Sequence, residues 1–598
     1  MKHDIVNRVE KLRQWMRGHG LGAYIVPSTD PHASEYTPEH WQCRQWISGF
    51  GGSAGTAVVT LDDAALWTDS RYFIAAAEAL EGTPFKLMKD GLSATPAISQ
   101  WLTQKLRPED KVGIDGKVVT YKEALTLHDD LLEHDIDLVT DYSAPDELWT
   151  ENRPGLPLDA VSVQPLEWAG ETVGDKVKRL MEAVERRGCR RILVSQLDEV
   201  AWLLNLRGGD VHCTPVFVAY CIVSRNEVAL YCNLQKINGE VTEYLGKNNV
   251  KVYDYGMIES DLMNSKDTIM FSPLTNMALA AECLRCGAVM ADSPVAAMKA
   301  VKNEAEIRGM KQAMVQDGVA LVKWIRWMRE AVPRGGETEL SVDRKLTSLR
   351  RANADFEGLS FDTIAAYNAH GAIVHYEPTP ETDVPLKAEG VLLVDTGAQY
   401  LCGTTDITRT FLLGGEPTAE QKKVYTLVLK GHIALSRLKF PRGASGTQLD
   451  LAARYAMWQE GYNFGHGTGH GVGAHLSVHE GPHQIRMNYM PAPIVEGMTV
   501  TDEPGLYLEG RFGVRIENVL LCVPYKETEL GSFVGFEPLT LCPIDTGLVD
   551  FDMMTPDEVR WLDDYHKKVR NVLLPLLDDE ADRRWLEKAC APCGGVEV

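Results

Sequence analysis

Apolar positions along the first half of the chain alternate between helical spacing and short β-rich runs, and they do so twice. Arg8-Val9-Glu10-Lys11-Leu12 opens an amphipathic helix, and Gly22-Ala23-Tyr24-Ile25-Val26-Pro27 reads as the strand after it. Lys176-Val177-Lys178-Arg179-Leu180 opens a second helix, followed by the strand Arg190-Arg191-Ile192-Leu193-Val194. Each unit then has a Trp-centred segment, around Trp46 and around Trp202. A β-rich run comes next, Thr56-Ala57-Val58-Val59-Thr60 in one and Val216-Phe217-Val218-Ala219-Tyr220 in the other. This alternation predicts two related α/β domains, joined through the polar, Pro-bearing residues 143–157.

A second joint falls near Ser293-Pro294. Beyond it, Asn303 with Glu306 three residues later forms a capping box. The helix it starts repeats Ile307, Met310, Met314, Val319 and Val322 on its apolar face and stops before Pro333-Arg334-Gly335-Gly336. Gly49-Phe50-Gly51-Gly52-Ser53-Ala54 loosely matches a dinucleotide fingerprint. That fingerprint needs a helix next, and the residues that follow are β-branched, so the segment reads as a structural turn.

The last third holds the candidate chemistry. Val391-Leu392-Leu393-Val394-Asp395 and Asp406-Ile407-Thr408-Arg409-Thr410-Phe411 read as two strands. A turn centred between Tyr400 and Leu401 predicts Asp395 opposite Asp406, on one face. Glu503 and Glu517 flank Gly510 symmetrically in TDEPGLYLEGRFGVRIENV, which predicts a second hairpin with glycine at its turn. Between them lies FGHGTGHGVGAHLSVHEGPH, where a strand would put His466, Thr468 and His470 on one face. Four carboxylates gathered together repel one another and favour protonation. Two divalent cations cancel them, and oxygen-rich ligands with one imidazole, His470, suit Mn²⁺, Co²⁺ or Zn²⁺. His375, His466 and His479 are candidates to bind substrate or move protons, whereas His475 and His483 read as structural.

Composition narrows the class without changing this picture. A chain of 598 residues exceeds a single core. A formal charge of −23 argues against a nucleic-acid or anionic-membrane surface. The N-terminal residues carry charges throughout and lack the apolar core of a secretory signal. The uncharged residues 211–224 fall short of a membrane span, so a cytoplasmic protein is expected. Twelve cysteines are too few for a disulfide scaffold. Cys283/Cys286 and Cys590/Cys593 are too far apart in sequence for a zinc ribbon and read as separate thiols, the latter pair in a tail expected to fray.

The motifs GHGTGHGVGAHLSVHEGP, VDTGAQYLCGTTDITRT, TDEPGLYLEGRFGVRIENV and FEPLTLCPID resemble the long, three-domain form of the Xaa-Pro aminopeptidase (aminopeptidase P) family. GLSFDTIAAYNAHGAIVHYEP and WISGFGGSAGTAVVTLDDAALWTDSRYF extend the resemblance over essentially the whole chain. Asn368-Ala369-His370, in a loop that normally holds small residues, and the cysteine-bearing tail depart from it. The resemblance implies two creatinase-N-like α/β domains (1–150 and 151–300) and a catalytic pita-bread domain (301–598). It implies a dinuclear centre, most often of Mn²⁺, held by Asp395, Asp406, His470, Glu503 and Glu517. His375, His466 and His479 would contact substrate and assist proton transfer, with Glu503 taking the proton of the attacking water. Tyr507 and Arg515 would line the site, and Arg71 would reach substrate from the neighbouring subunit of a homodimer. The implied reaction releases an N-terminal residue that precedes proline. A dipeptide-limited prolidase, a creatinase-like amidinohydrolase and a non-enzymatic pita-bread binding module are the rival readings.

Overall fold

The repeat read from the sequence is a repeat in three dimensions. The computed structural model describes residues 2–593. It divides into two compact units: the chain to residue 165 with 171–296, and residues 166–170 with the chain from 297 on. The first unit contains two six-stranded sheets of one topology. In the first, Ala23–Pro27, Thr56–Thr60 and Ala64–Thr68 run antiparallel in succession. Lys86–Lys89 then adds in parallel at one edge, and Lys111–Ile114 followed by Asp137–Val139 at the other. In the second sheet Arg191–Val194, Ala219–Ser224 and Val228–Cys232 are the antiparallel set. Val250–Asp254 is the parallel edge, with Ile269–Phe271 and Val289–Met290 on the far side. A tight turn joins Thr56–Thr60 to Ala64–Thr68, and Ala219–Ser224 to Val228–Cys232, while helix-bearing segments make the longer connections.

The Trp-centred segments are short helices, Cys43–Ser48 and Leu197–Leu204, with Trp202 buried. The predicted run at 216–220 enters its strand only at Ala219. No helix follows Gly49-Phe50-Gly51-Gly52; the chain passes straight into Thr56–Thr60. Gly49 has φ +81, a left-handed cap that glycine adopts at little cost.

The second unit opens on α1 (Glu304–Ala331). Asn303 Oδ1 accepts from the Ala305 and Glu306 amides, and Glu306 Oε2 accepts from the Asn303 amide, closing the capping box. Met310, Met314 and Val322 on its apolar face are buried. After α2 (Glu339–Arg350) come β1 (Ile364–Tyr367), β2 (Gly390–Thr396) and β3 (Ile407–Gly414), an antiparallel sheet in the order β1–β2–β3. Two helices follow, α3 (Ala419–Ser436) and α4 (Gly446–Gln459). A six-stranded sheet takes the edge strand Lys439–Pro441 with β4 (Gly469–Gly471), β5 (Glu480–Ile485) and β6 (Thr499–Asp502), then β9 (Asn518–Thr528) and β10 (Gly531–Pro538). The ribbon of β7 (Gly505–Leu508) and β8 (Phe512–Arg515) continues the β6–β9 pair. Residues of α3, of the β7–β8 ribbon and of the final helices α5 (Pro556–Leu573) and α6 (Glu580–Ala589) share one apolar core.

The first acidic hairpin turns one residue later than expected. Asp395 pairs with Thr408, and Gln399 with Thr404, so the turn lies at Leu401-Cys402 and Asp406 is displaced from Asp395 by two residues. A slip of two preserves the face, because side chains alternate with a period of two. The second hairpin keeps the expected register: Asp502 faces Asn518, Gly505 faces Arg515, and Gly510 at the centre has φ +71. The histidine-rich segment is strand over β4 and again from Glu480, and His466 and Thr468 lie in the bend before β4. Thr468 meets Asp450, His466 meets Tyr507, and His470 meets Asp406 and Glu503.

The cysteines are separate thiols. The tail is ordered farther than expected, with Cys590 buried in the core beside α5 and α6. Its glycine-rich end, 594–598, lies outside the described residues. Among the described residues no helix is long and apolar enough to cross a membrane.

Candidate metal centre

Each acidic side chain reaches the centre from a strand end that neighbouring elements hold in place. The Glu517 amide donates to the Thr408 carbonyl at 3.1 Å, and the Thr408 hydroxyl donates to Glu517 Oε2 at 2.8 Å. These bonds fasten the second hairpin to β3. The Glu503 amide donates to the Thr468 carbonyl at 2.8 Å, and the His470 amide to Thr501 Oγ1 at 3.0 Å, fastening the same hairpin to β4. Ligand atoms of Asp406, His470 and Glu517 thereby lie within 4.8 Å of one another. Glu503 Oε1 is 3.6 Å from His470 Nε2, and Asp406 Oδ2 is 3.5 Å from it.

Asp395 joins them through Arg515. The guanidinium, 1% exposed, donates to Asp395 Oδ2 from Nε at 3.1 Å and from Nη2 at 2.6 Å. It also donates to Thr408 Oγ1 at 3.2 Å and to the Tyr507 hydroxyl at 2.7 Å. Tyr507 in turn donates to His466 Nε2 at 2.7 Å. The direction is fixed because His466 Nδ1 faces the Gly467 carbonyl at 2.7 Å and must carry the ring proton. Arg515, Tyr507 and His466 thus form a directed chain along one side of the centre. Burial pushes the Tyr507 hydroxyl up. Burial alone would lower the Arg515 guanidinium, but Tyr507, Asp395 and Glu503 hold it firmly charged.

Four carboxylates this close are electrostatically incomplete. Burial first, then Asp395 and Glu503, hold Asp406 well above the usual carboxylate range. Burial and then Asp406, Asp395 and Glu503 do the same to Glu517. Asp395 Oδ1 is buried with no hydrogen-bond partner among the described residues, a costly state for a charged oxygen. His470 Nδ1 donates to the Gly471 carbonyl at 2.9 Å, so its Nε2 turns a lone pair toward the acids. An orphaned carboxylate oxygen, an imidazole lone pair and acidic oxygens facing one another make a donor set that fits divalent cations.

The remaining predicted residues fall as follows. The His479 ring meets that of His470 edge-on, centroids 4.4 Å apart. His375 lies in the turn after β1, next to Val374, whose carbonyl accepts from Arg515 Nη2 at 3.4 Å. His483 is buried, its Nε2 on the Thr499 carbonyl at 2.8 Å and its pKa lowered to about 4, chiefly by burial. Arg71 belongs to the first unit, where Asp69 holds it bidentately at 2.9 and 2.8 Å. The sequence reading missed Thr408, although its place two residues after Asp406 puts it on the same strand face. It also missed the buried pair of Asp450 and Arg454 on α4. Arg454 donates to the Phe464 and His466 carbonyls at 2.6 and 2.9 Å, and Asp450 accepts from Thr468 at 2.5 Å. Their i,i+4 spacing on a predicted helix was the available signal.

Comparison with known proteins gives this geometry a lineage. Residues 308–524 match the model of metallopeptidase family M24, and residues 532–593 the C-terminal region of that family. Residues 8–141 and 152–306 each match a creatinase/prolidase N-terminal domain. Xaa-Pro aminopeptidase 1 of Dictyostelium discoideum is 39% identical over 618 residues, covering 99% of this chain and 97% of that protein. The chain belongs to the Xaa-Pro aminopeptidase family of M24 metallopeptidases. Aminopeptidase P1 of Lotus japonicus is 38% identical and covers 98% of this chain and 100% of its own length. The crystal structure of X-prolyl aminopeptidase from Caenorhabditis elegans, described as a cytosolic enzyme with a di-nuclear active site, is 33% identical. It matches with a TM-score of 0.95 over 98% of this chain and 99% of that one. The chain is therefore a metallopeptidase with two creatinase-N-like domains and a C-terminal pita-bread domain.

Proposed function

We propose that this M24 metallopeptidase releases the N-terminal residue of peptides with proline in second position. Two divalent cations, Mn²⁺ by our reading, would be held by Asp395, Asp406, His470, Glu503 and Glu517. The observation that carries the proposal is the convergence of Asp406, Glu503 and Glu517 on His470, with Asp395 Oδ1 buried and without a hydrogen-bond partner among the described residues. Cations bound there supply Lewis acidity toward water and a carbonyl.

The chain's own residues do the rest. Proline's nitrogen carries no hydrogen and its ring fixes φ, so the bond must be recognised from the residue before it and from the ring. Glu503, beside His470, takes the proton of the attacking water. His479, stacked edge-on against His470, and His375, in the turn beside Arg515, contact the substrate carbonyl as charge develops on it. Arg515 pairs with Asp395 and orders Tyr507, while His466 fixes the Tyr507 hydroxyl from the other side. Domain limits of 1–150, 151–300 and 301–598 belong to the same reading.

We also infer a cytosolic homodimer in which Arg71 completes the partner's substrate site. The cytosolic description of the C. elegans enzyme supports the first part. Leu451, Tyr455 and Trp458, exposed in a row on α4, offer an apolar surface for a second copy to cover. Mass measurement in solution and an Arg71→Ala titration against substrate test it.

The decisive experiment is Asp406→Asn. Loss of bound metal and of peptide cleavage is expected, and full activity at normal metal content sinks the assignment. Cleavage of Xaa-Pro-Pro faster than of Xaa-Pro supports the aminopeptidase over a prolidase; the reverse order overturns it.

A further inference from the structure

The loop that carries His375 is anchored at a point outside the centre. It leaves β1 at Tyr367 and has returned to the interior by Tyr376, and one carboxylate touches its start, middle and end. Glu339, the first residue of α2, is fully buried. Its Oε1 accepts from the Tyr367 amide at 2.7 Å, and its Oε2 accepts from the Tyr376 hydroxyl at 2.9 Å. His370 Nδ1 meets both oxygens, at 2.9 and 3.1 Å. An ionised carboxylate can only accept, so that nitrogen carries the proton. The His370 ring lies over Tyr376 with centroids 4.3 Å apart at 30°.

The opposite side of the loop is gripped by backbone. A Cβ on Gly513 would stand 1.8 Å from the Gly371 carbonyl oxygen, so the two segments touch where residue 513 has no room for a side chain. Gly513 belongs to β8, two residues before Arg515, whose Nη2 holds the Val374 carbonyl. His375 is therefore the residue between two fixed points, Val374 on the Arg515 side and Tyr376 on the Glu339 side. Burying an ionised carboxylate is costly unless its oxygens are filled by donors. All three donors come from residues 367–376, so the loop satisfies Glu339 in one arrangement only.

We propose that Glu339 is a positioning residue for His375, acting through Tyr367, His370 and Tyr376. The proposal rests on the reading of His375 as a substrate-contacting group. Glu339 touches no reacting atom; it removes freedom from the loop that supplies one. Glutamine at this position keeps the shape but removes the charge and reverses the bond to Tyr376, whose hydroxyl must then accept from the NH₂ group and donate to the Thr382 carbonyl alone.

A double-mutant cycle on the full-length, metal-loaded enzyme tests this, with Glu339→Gln, His375→Ala and the pair assayed on an Xaa-Pro-Pro peptide. Glu339→Gln is expected to lower kcat/KM by roughly ten- to a hundredfold, the size of effect a displaced catalytic group gives. It should keep its bound metal and quicken amide hydrogen exchange at residues 368–376. In the His375→Ala background it should cost nothing further, because coupled residues are not additive. Wild-type kcat/KM for Glu339→Gln, or a loss that multiplies onto that of His375→Ala, overturns the clamp and leaves the role of His375 standing. Wild-type rates for His375→Ala overturn that role and the clamp with it. If Glu339→Gln does not fold, Tyr376→Phe, which takes one donor from Glu339 Oε2 and from the Thr382 carbonyl but leaves His370 Nδ1 on the carboxylate, takes its place. The same non-additivity with His375→Ala is then expected, with a smaller fall of about threefold to tenfold.

Discussion

Gly469→Ala is the sharpest perturbation of the centre that replaces none of the proposed ligands. A Cβ at this position would stand 1.9 Å from the Thr501 carbonyl oxygen and 2.8 Å from its carbon, whereas real Cβ atoms stay beyond 3.0 Å. The obstacle is backbone, so β4 and β6 must part by at least 1.1 Å, the difference between 3.0 and 1.9 Å. His470 is the next residue on one strand, and Glu503 lies two residues beyond Thr501 on the other. Both ligands therefore move apart by about the distance that costs a hundredfold in rate. Overpacking of this kind also lowers stability by about 1–3 kcal/mol. Gly467→Ala is the matched control, since its Cβ would meet nothing nearer than 3.6 Å. The assay pairs metal content per chain with kcat/KM on an Xaa-Pro peptide for both variants. Gly469→Ala should lose metal affinity and activity while Gly467→Ala stays near wild type. Equal, near-native values for the two refute the claim that close strand approach sets the ligand geometry.

Chelation should lower the unfolding midpoint as well as the activity, and returning Mn²⁺ should restore both. A cation at a hundred times its Kd adds about 2.7 kcal/mol, so a melting curve indifferent to chelator counts against the site. Acid sensitivity should trace in part to His566, whose Nε2 accepts from the Ile544 amide at 3.1 Å. Burial, and then Arg409, lowers its pKa from 6.5 to about 4. Its contribution to stability is therefore full above pH 6.5 and is lost as pH falls toward 4, by up to about 3 kcal/mol. His566→Gln keeps an acceptor that does not titrate, so its stability should fall less steeply over that window in urea titrations at stepped pH. Parallel slopes for variant and wild type dismiss the assignment.

The centre was legible where local chemistry marked it. Gly510, the only residue type at ease with φ +71, fixed the second hairpin and with it the pairing of Glu503 with Glu517. The first hairpin had no such marker: Tyr400, Leu401 and Cys402 carry no turn signal, so its centre was read one residue early. The even slip left the acids on their common face all the same. The strand expected around His466 failed because alternating glycines do not sustain one; Arg454 and Asp450 hold that bend instead. The Glu339 clamp was beyond local reading altogether. Its donors lie some thirty residues away in sequence (|i−j| of 28 to 37), and nothing in Glu339 itself announces burial.

The proposed ligands lie between Asp395 and Glu517 on two different sheets, and this separation along the chain has a consequence for how the enzyme is born. Synthesis delivers domains from the N-terminus onward. Asp395 and Asp406 thus leave the ribosome well before the imidazole of His470, and Glu517 comes last. Until β6 and β9 pair, Glu503 and Glu517 have no common face, and the early acids stay a solvated hairpin. A nascent or prematurely ended chain is therefore silent as a peptidase, and capture of metal dates the moment at which the catalytic domain is whole.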